Sequence, residues 1–206
     1  MNYYIDFDHT LYDTPKLTKD MLDTISCSIA LQCGIEQEVL LEECFKMFNR
    51  ENIYNIYELA RYFSKKYNCD FKQIIDQLNY VIYNSEKNVF SDSIPFLKKL
   101  KSLNHTIHML SYYEYGLEYQ TAKIVGSKLS NLFDCIIITK KHKYELDLDY
   151  TNGIFIDDNP SDLLGLLSKN PKEIIRLRRV GSKYSIKDLE NSKIKEYTSL
   201  SEIPLN

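Results

Sequence analysis

Short apolar runs recur along this chain at Tyr3–Phe7, Thr106–Leu110, Cys135–Ile138, Gly153–Ile156 and Glu173–Leu177. Each has the length of one buried strand. In the second half, helical patterns fill the gaps between runs, at Ile94–Leu103, Tyr115–Leu132 and Ser161–Ser168. Strands that alternate with helices need crossover connections, and these build a parallel sheet. Ile194–Tyr197 adds a last short edge strand. Between the first run and the second the pattern changes. Leu17, Met21, Leu22, Ile25 and Ile29 keep a helical period, and Gly34 is placed to stop that helix. Val39–Phe48, Ile56–Tyr67 and Phe71–Tyr83 continue it, giving roughly four helices and no strand. The expectation is an α/β protein: a core from residues 1–15 and 89–206, with residues 16–88 inserted as a helical subdomain. The exits of the insert are Asp13–Lys16 and Asn84–Ser93, both rich in polar and turn-forming residues.

Composition narrows the function classes. A net charge of −3 argues against binding driven by attraction to nucleic-acid phosphates. Arg176, Arg178, Arg179, Lys183 and Lys187 form a basic stretch that reads as a solvated rim rather than a nucleic-acid groove. No stretch approaches the roughly 18 apolar residues of a membrane span, and the N-terminus enters a strand without a basic leader. Five cysteines with no C-x-x-C spacing read as buried thiols of a reducing, cytoplasmic protein.

Chemistry concentrates where the apolar runs end. Asp6 and Asp8 close the first run, two residues apart, as alternate positions that leave one face of a strand. One such carboxylate can attack phosphorus and carry the phosphoryl group covalently, and the other can protonate a leaving oxygen and later activate water. The alternative is a strand end whose acids cap a turn. A second run ends in Asp157-Asp158-Asn159-Pro160-Ser161-Asp162. Brought beside Asp6 and Asp8, these acids require a divalent cation, and Mg²⁺ suits hard oxygen ligands together with a substrate phosphate. Asp162 by itself also fits a plain first-turn helix acid. Ser111 directly follows the run Thr106–Leu110, where its hydroxyl can bind a phosphoryl oxygen or merely cap a helix. Lys140, Lys141 and Lys143 follow Cys135–Ile138, where a lysine would neutralise the crowded acids.

This ordered set resembles the haloacid dehalogenase (HAD) superfamily: Asp6-x-Asp8-x-Thr10, then Ser111, a lysine at 140–143, and Asp157-Asp158-x-x-x-Asp162. The resemblance spans most of the core and likens the helical insert to that superfamily's C1-type cap. It implies a Rossmannoid sheet with the site at its carboxyl edge. Asp6 matches the nucleophile and a metal ligand. Asp8 matches the acid/base, giving its backbone carbonyl to Mg²⁺. Thr10 and Ser111 match substrate-binding positions. Asp158 matches the direct metal ligand, with Asp157 and Asp162 supporting or water-mediated. Lys143 is favoured as the lysine, since it begins Tyr144–Asp149 much as the family's lysine precedes its helix; Lys140 and Lys141 stay open. His9 stands where the family usually has glycine, a departure read as tolerance of the turn.

Asp8 separates the activities that the resemblance implies, because dehalogenases of the superfamily lack it. The expected reaction is Mg²⁺-dependent hydrolysis of a small phosphomonoester through an aspartyl-phosphate. A sugar-phosphate mutase or phosphotransferase is the alternative enzyme, and a non-catalytic HAD-like binding protein the alternative of another class. Cap aromatics Phe45, Phe48, Tyr54, Tyr57, Tyr62, Phe63 and Tyr67 recur near helical spacing and read as core. The oligomeric state is not legible in the residues.

Overall fold

The computed structural model describes residues 1–50 and 55–205 of the chain; Tyr54 lies outside them. The chain divides into two compact units, one of Met1–Thr14 with Asn88–Asn206, the other of Pro15–Lys87.

The first unit is built on six strands: β1 (Asn2–Asp6), β2 (Thr106–Tyr112), β3 (Cys135–Thr139), β4 (Gly153–Asp157), β5 (Glu173–Leu177) and β6 (Ile194–Tyr197). All pair in parallel, in the order β3-β2-β1-β4-β5-β6. The fold is therefore α/β on a parallel sheet. Central β1 and β4 are covered on both faces, which is why they read as unbroken apolar runs rather than alternating ones. Tyr4 stacks between His108 and Phe155, at 4.7 Å from each ring. Around it Leu110, Leu163, Leu166 and Ile174 complete a core. The register sets Ile5 beside both Met109 and Ile156, so the carboxyl ends of β1 and β4 are neighbours.

The second unit consists of α1 (Thr14–Cys33, beginning one residue earlier), α2 (Gln37–Arg50), α3 (Ile56–Tyr67) and α4 (Phe71–Tyr83). Gly34 ends α1 with φ +67°, a left-handed geometry that glycine adopts without a Cβ penalty. Asn55 and Asp70 cap α3 and α4, each accepting two backbone N–H bonds with its side chain. Leu17, Met21, Ile25, Leu59, Phe63, Ile74, Leu78 and Ile82 are fully buried. Phe63 takes the core position expected of it, whereas Tyr62 is exposed.

Local readings need correction at four places. After α5 (Ser93–Ser102), the helical pattern Tyr115–Leu132 resolves into α6 (Leu117–Gly126) and a single 3₁₀ turn at Ser130–Leu132. Lys128 adopts φ +61° between them, and Ser127 bonds local backbone, donating to the Ile124 carbonyl and accepting from the Leu129 N–H. Lys143–Glu145 is likewise one 3₁₀ turn rather than the start of a helix. The Tyr150 hydroxyl meets the carbonyls of Lys143 and Leu146 there, closing the turn. Of the five thiols only Cys44 is buried; Cys135 opens edge strand β3 and is exposed. Lastly, Arg176 and Arg179 are not a solvated rim, at 0% and 8% exposure. The Arg176 guanidinium donates to Glu196 and to the carbonyls of Tyr184 and Lys187, fastening the β5–β6 loop. Loop carbonyls inside a protein need donors, and arginine supplies several from one planar group.

Candidate active site

Two helices of the first unit frame its chemistry: α6, and α7 (Pro160–Leu166), which follows β4. Asn159 caps α7 by accepting from the Ser161 N–H, and Pro160 occupies its first turn. Asp6 ends β1, and Asp157 and Asp158 end and follow β4; all three are buried. Lys143, also buried, donates from Nζ to Asp6 Oδ1 at 2.6 Å and to Asp157 Oδ2. Lys140 and Lys141 are exposed. One ammonium thus faces three carboxylates. Burial, reinforced by Asp157 and Asp8, pushes Asp6 up to about 8 against the pull of Lys143. Burial also raises Asp157, and together with Asp6 and Asp157 it holds Asp158 well above the ordinary carboxylate range. Burial opposes the charge of Lys143, but Asp157, Asp6 and Asp162 outweigh it and hold the lysine above its ordinary value.

Asp6, Asp157 and Asp158 can each offer an oxygen within 4.8 Å of the others. Asp158 Oδ2 is buried with no hydrogen-bond partner, a costly arrangement for a carboxylate. A hard divalent cation fits such a donor set, since it would supply the charge that Lys143 alone does not. Asp162 points its oxygens elsewhere. Its Oδ1 accepts weakly from the Lys143 backbone N–H at 3.4 Å and lies 3.0 Å from His142 Nδ1, and its Oδ2 accepts from Asn159. In this way α7 orients the turn that carries Lys143. Tyr144 secures the same turn by packing over Gly165, where a Cβ would come within 2.0 Å of its ring.

Asp8 stands apart from the acidic trio. Strand β1 stops at Asp6, so Asp6 and Asp8 do not share a strand face as expected. The chain turns instead: the N–H groups of Leu11 and Tyr12 both donate to the Phe7 carbonyl, and His9 adopts φ +61°. That left-handed geometry accounts for glycine suiting this position. Lys123 Nζ and Thr14 Oγ1 donate to Asp8 Oδ1, each at 2.5 Å, and Gln120 Nε2 donates to Oδ2 at 2.6 Å. Burial works against the Asp8 charge, but Lys123 and these donors prevail and hold its carboxyl below the usual range. Gln120 Nε2 also lies 2.6 Å from Ser111 Oγ. Ser111 is itself inside β2, opposite Ile138 of β3, rather than beyond the strand as a cap.

Thr10 is buried in the same turn, its Oγ1 without a partner. Its carbonyl accepts from Arg179 Nε at 2.8 Å, while the rest of that guanidinium forks onto Asp92 at 2.7 and 3.1 Å. Sequence reasoning missed Lys123, Gln120, Thr14 and Arg179. Gln120 and Lys123 lie three residues apart, hence on one face of α6, but nothing in the sequence sets that face inward.

No family model and no curated protein matches the sequence. Solved structures do match the fold. A HAD phosphatase from Thermococcus onnurineus aligns at TM-score 0.58 and 18% identity, over 98% of this chain and 94% of that one. A haloacid dehalogenase-like hydrolase from Burkholderia xenovorans aligns at TM-score 0.69 and 13% identity, over 98% and 95%. The magnesium-bound structure of YfnB, a HAD-type protein of Bacillus subtilis, aligns at TM-score 0.58 and 12% identity, over 98% and 95%. With its parallel sheet and this likeness over nearly the full length, the chain has the haloacid dehalogenase-like fold.

Proposed function

We propose that this protein is a phosphatase that hydrolyses small phosphomonoesters, with Mg²⁺ as cofactor and Asp6 as nucleophile. The observation that carries the reading is Asp8, a second carboxylate beside Ser111 with its own donors, distinct from the acidic trio. Departing halide needs no proton; departing alkoxide does. A protein that only displaced halide would have no use for this arrangement. The likeness to a phosphatase and to a magnesium-bound neighbour supports the same reading.

Asp6, Asp157 and Asp158 would hold the cation, which when bound offsets negative charge on the carboxylates and on the phosphate. Asp6 attacks phosphorus, forming the Oδ–P bond as the ester P–O bond breaks. Lys143 keeps the nucleophile oriented and lowers the cost of a buried negative centre. Asp8, an ion-paired carboxylate at rest, takes the acidic proton of the phosphomonoester monoanion and passes it to the leaving oxygen. In the second half it takes a proton from the water that attacks the aspartyl-phosphate, and Asp6 is regenerated with release of inorganic phosphate. Ser111 and Thr10 donate to phosphoryl oxygens.

The test is release of phosphate from an aryl phosphate by wild type and Asp6→Asn, with and without Mg²⁺. Release that needs Mg²⁺ and vanishes in the variant supports the proposal; turnover that survives Asp6→Asn overturns it.

A further inference from the structure

Resting on the phosphatase reading, we propose that Gln120 is a positioning residue that aims the Ser111 hydroxyl hydrogen at the substrate phosphoryl group. Asp8 Oδ1 already receives the Lys123 ammonium and the Thr14 hydroxyl, and the Gln120 atom 2.6 Å from Asp8 Oδ2 is the amide nitrogen, which donates where the amide oxygen could not. The same nitrogen lies 2.6 Å from Ser111 Oγ. Its two hydrogens therefore go one to Asp8 and one to Ser111.

Ser111 consequently accepts from Gln120, and its own hydrogen must point away from that bond. Among the described residues no acceptor receives it, although Ser111 is fully buried. The free donor lies beside Asp8 at the carboxyl end of β2, next to the end of β1. An incoming phosphoryl oxygen, rich in lone pairs, is the complement of such a donor. Without Gln120, the serine hydroxyl could turn its hydrogen towards Asp8 or a backbone carbonyl, and the phosphoryl group would meet a lone pair instead. Gln120 is 3% exposed and fixed from α6, so the direction is set before substrate arrives.

A double-mutant cycle tests this. Wild type, Gln120→Met, Ser111→Ala and the double variant are compared in KM for an aryl phosphate and in calorimetric affinity for orthophosphate, both with Mg²⁺. Loss of one hydrogen bond to a charged group predicts about a tenfold weakening for either single variant. In the Ser111→Ala background, Gln120→Met should add less than about twofold, since the hydroxyl it aims is gone. A fall in kcat from the Asp8 contact is read separately. Gln120→Leu supplies a second probe, uncharged and without a donor, so phosphate affinity should fall about as far as with methionine. Near wild-type phosphate affinity in Gln120→Leu, or equal losses in both backgrounds of the cycle, overturns the proposal while leaving the phosphatase reading intact. A wild type that neither hydrolyses phosphoesters nor binds orthophosphate overturns both.

Discussion

Replacing Asp158 by asparagine should stabilise the metal-free protein while removing its response to Mg²⁺. Asp6, Asp157 and Asp158 can bring oxygens within 4.8 Å of one another. At that separation two unit charges repel by about 3.5 kcal/mol for an effective dielectric constant of about 20. Lys143 bonds Asp6 and Asp157, whereas Asp158 Oδ2 has no partner, so Asp158 bears the repulsion without a compensating bond. Burial, then Asp6 and Asp157, raise its folded-state pKa well above the ordinary value near 4. The folded protein therefore keeps a proton that the unfolded chain releases, and stability falls as pH rises from about 4 towards the folded pKa. The limiting slope is about 1.4 kcal/mol per pH unit. Asparagine has no proton to lose and lacks this contribution. Urea unfolding in EDTA should show wild type losing stability relative to Asp158→Asn as pH rises above about 4, with a slope no steeper than that limit. Magnesium at about a hundred times its Kd should return about 2.7 kcal/mol to wild type and little to the variant. Parallel pH slopes, or equal stabilisation of both proteins by Mg²⁺, would contradict this role for Asp158.

Lys143→Met removes the cation shared by two buried carboxylates. It should cost about 3–5 kcal/mol in metal-free denaturant unfolding, and Lys140→Ala, at an exposed position, within about 0.5 kcal/mol of wild type, is its control. Gly165→Ala drives a methyl group into the Tyr144 ring. The turn carrying Lys143 should shift, lowering thermal stability and phosphate release together; an unaltered melting curve would count against that packing.

The strands could be read from sequence because β1 and β4 lie in a sheet covered on both faces, so burial spares no alternate position for polar residues. Their acids stood out because a buried run ends in charge only where the chain leaves the core. Asp6, Asp157, Asp158 and Lys143 come together from three separate segments, and neighbouring ends of a parallel sheet make that juxtaposition inferable. The surroundings of Asp8 are another matter. Gln120 and Lys123 arrive from α6, and a glutamine and a lysine on a helix look like solvent-facing residues until the helix is docked. Arg176 and Arg179 were misread for the same reason: charge suggests exposure, yet buried carbonyls and Asp92 supply the partners that permit burial. The ends of α6 and of the Lys143 turn depend on the hydroxyls of Ser127 and Tyr150, contacts that apolar periodicity does not report.

On the proposed mechanism phosphorus passes through Asp6. This is tested most directly by acid-quenching the protein during turnover of a phosphorus-labelled ester with Mg²⁺ and locating the label by peptide mass spectrometry. An acid-stable, base-labile phosphoryl group is expected on the peptide containing Asp6, and is expected to be absent from Asp6→Asn. Label on another residue, or turnover in Asp6→Asn with the same kinetics as wild type, would contradict it.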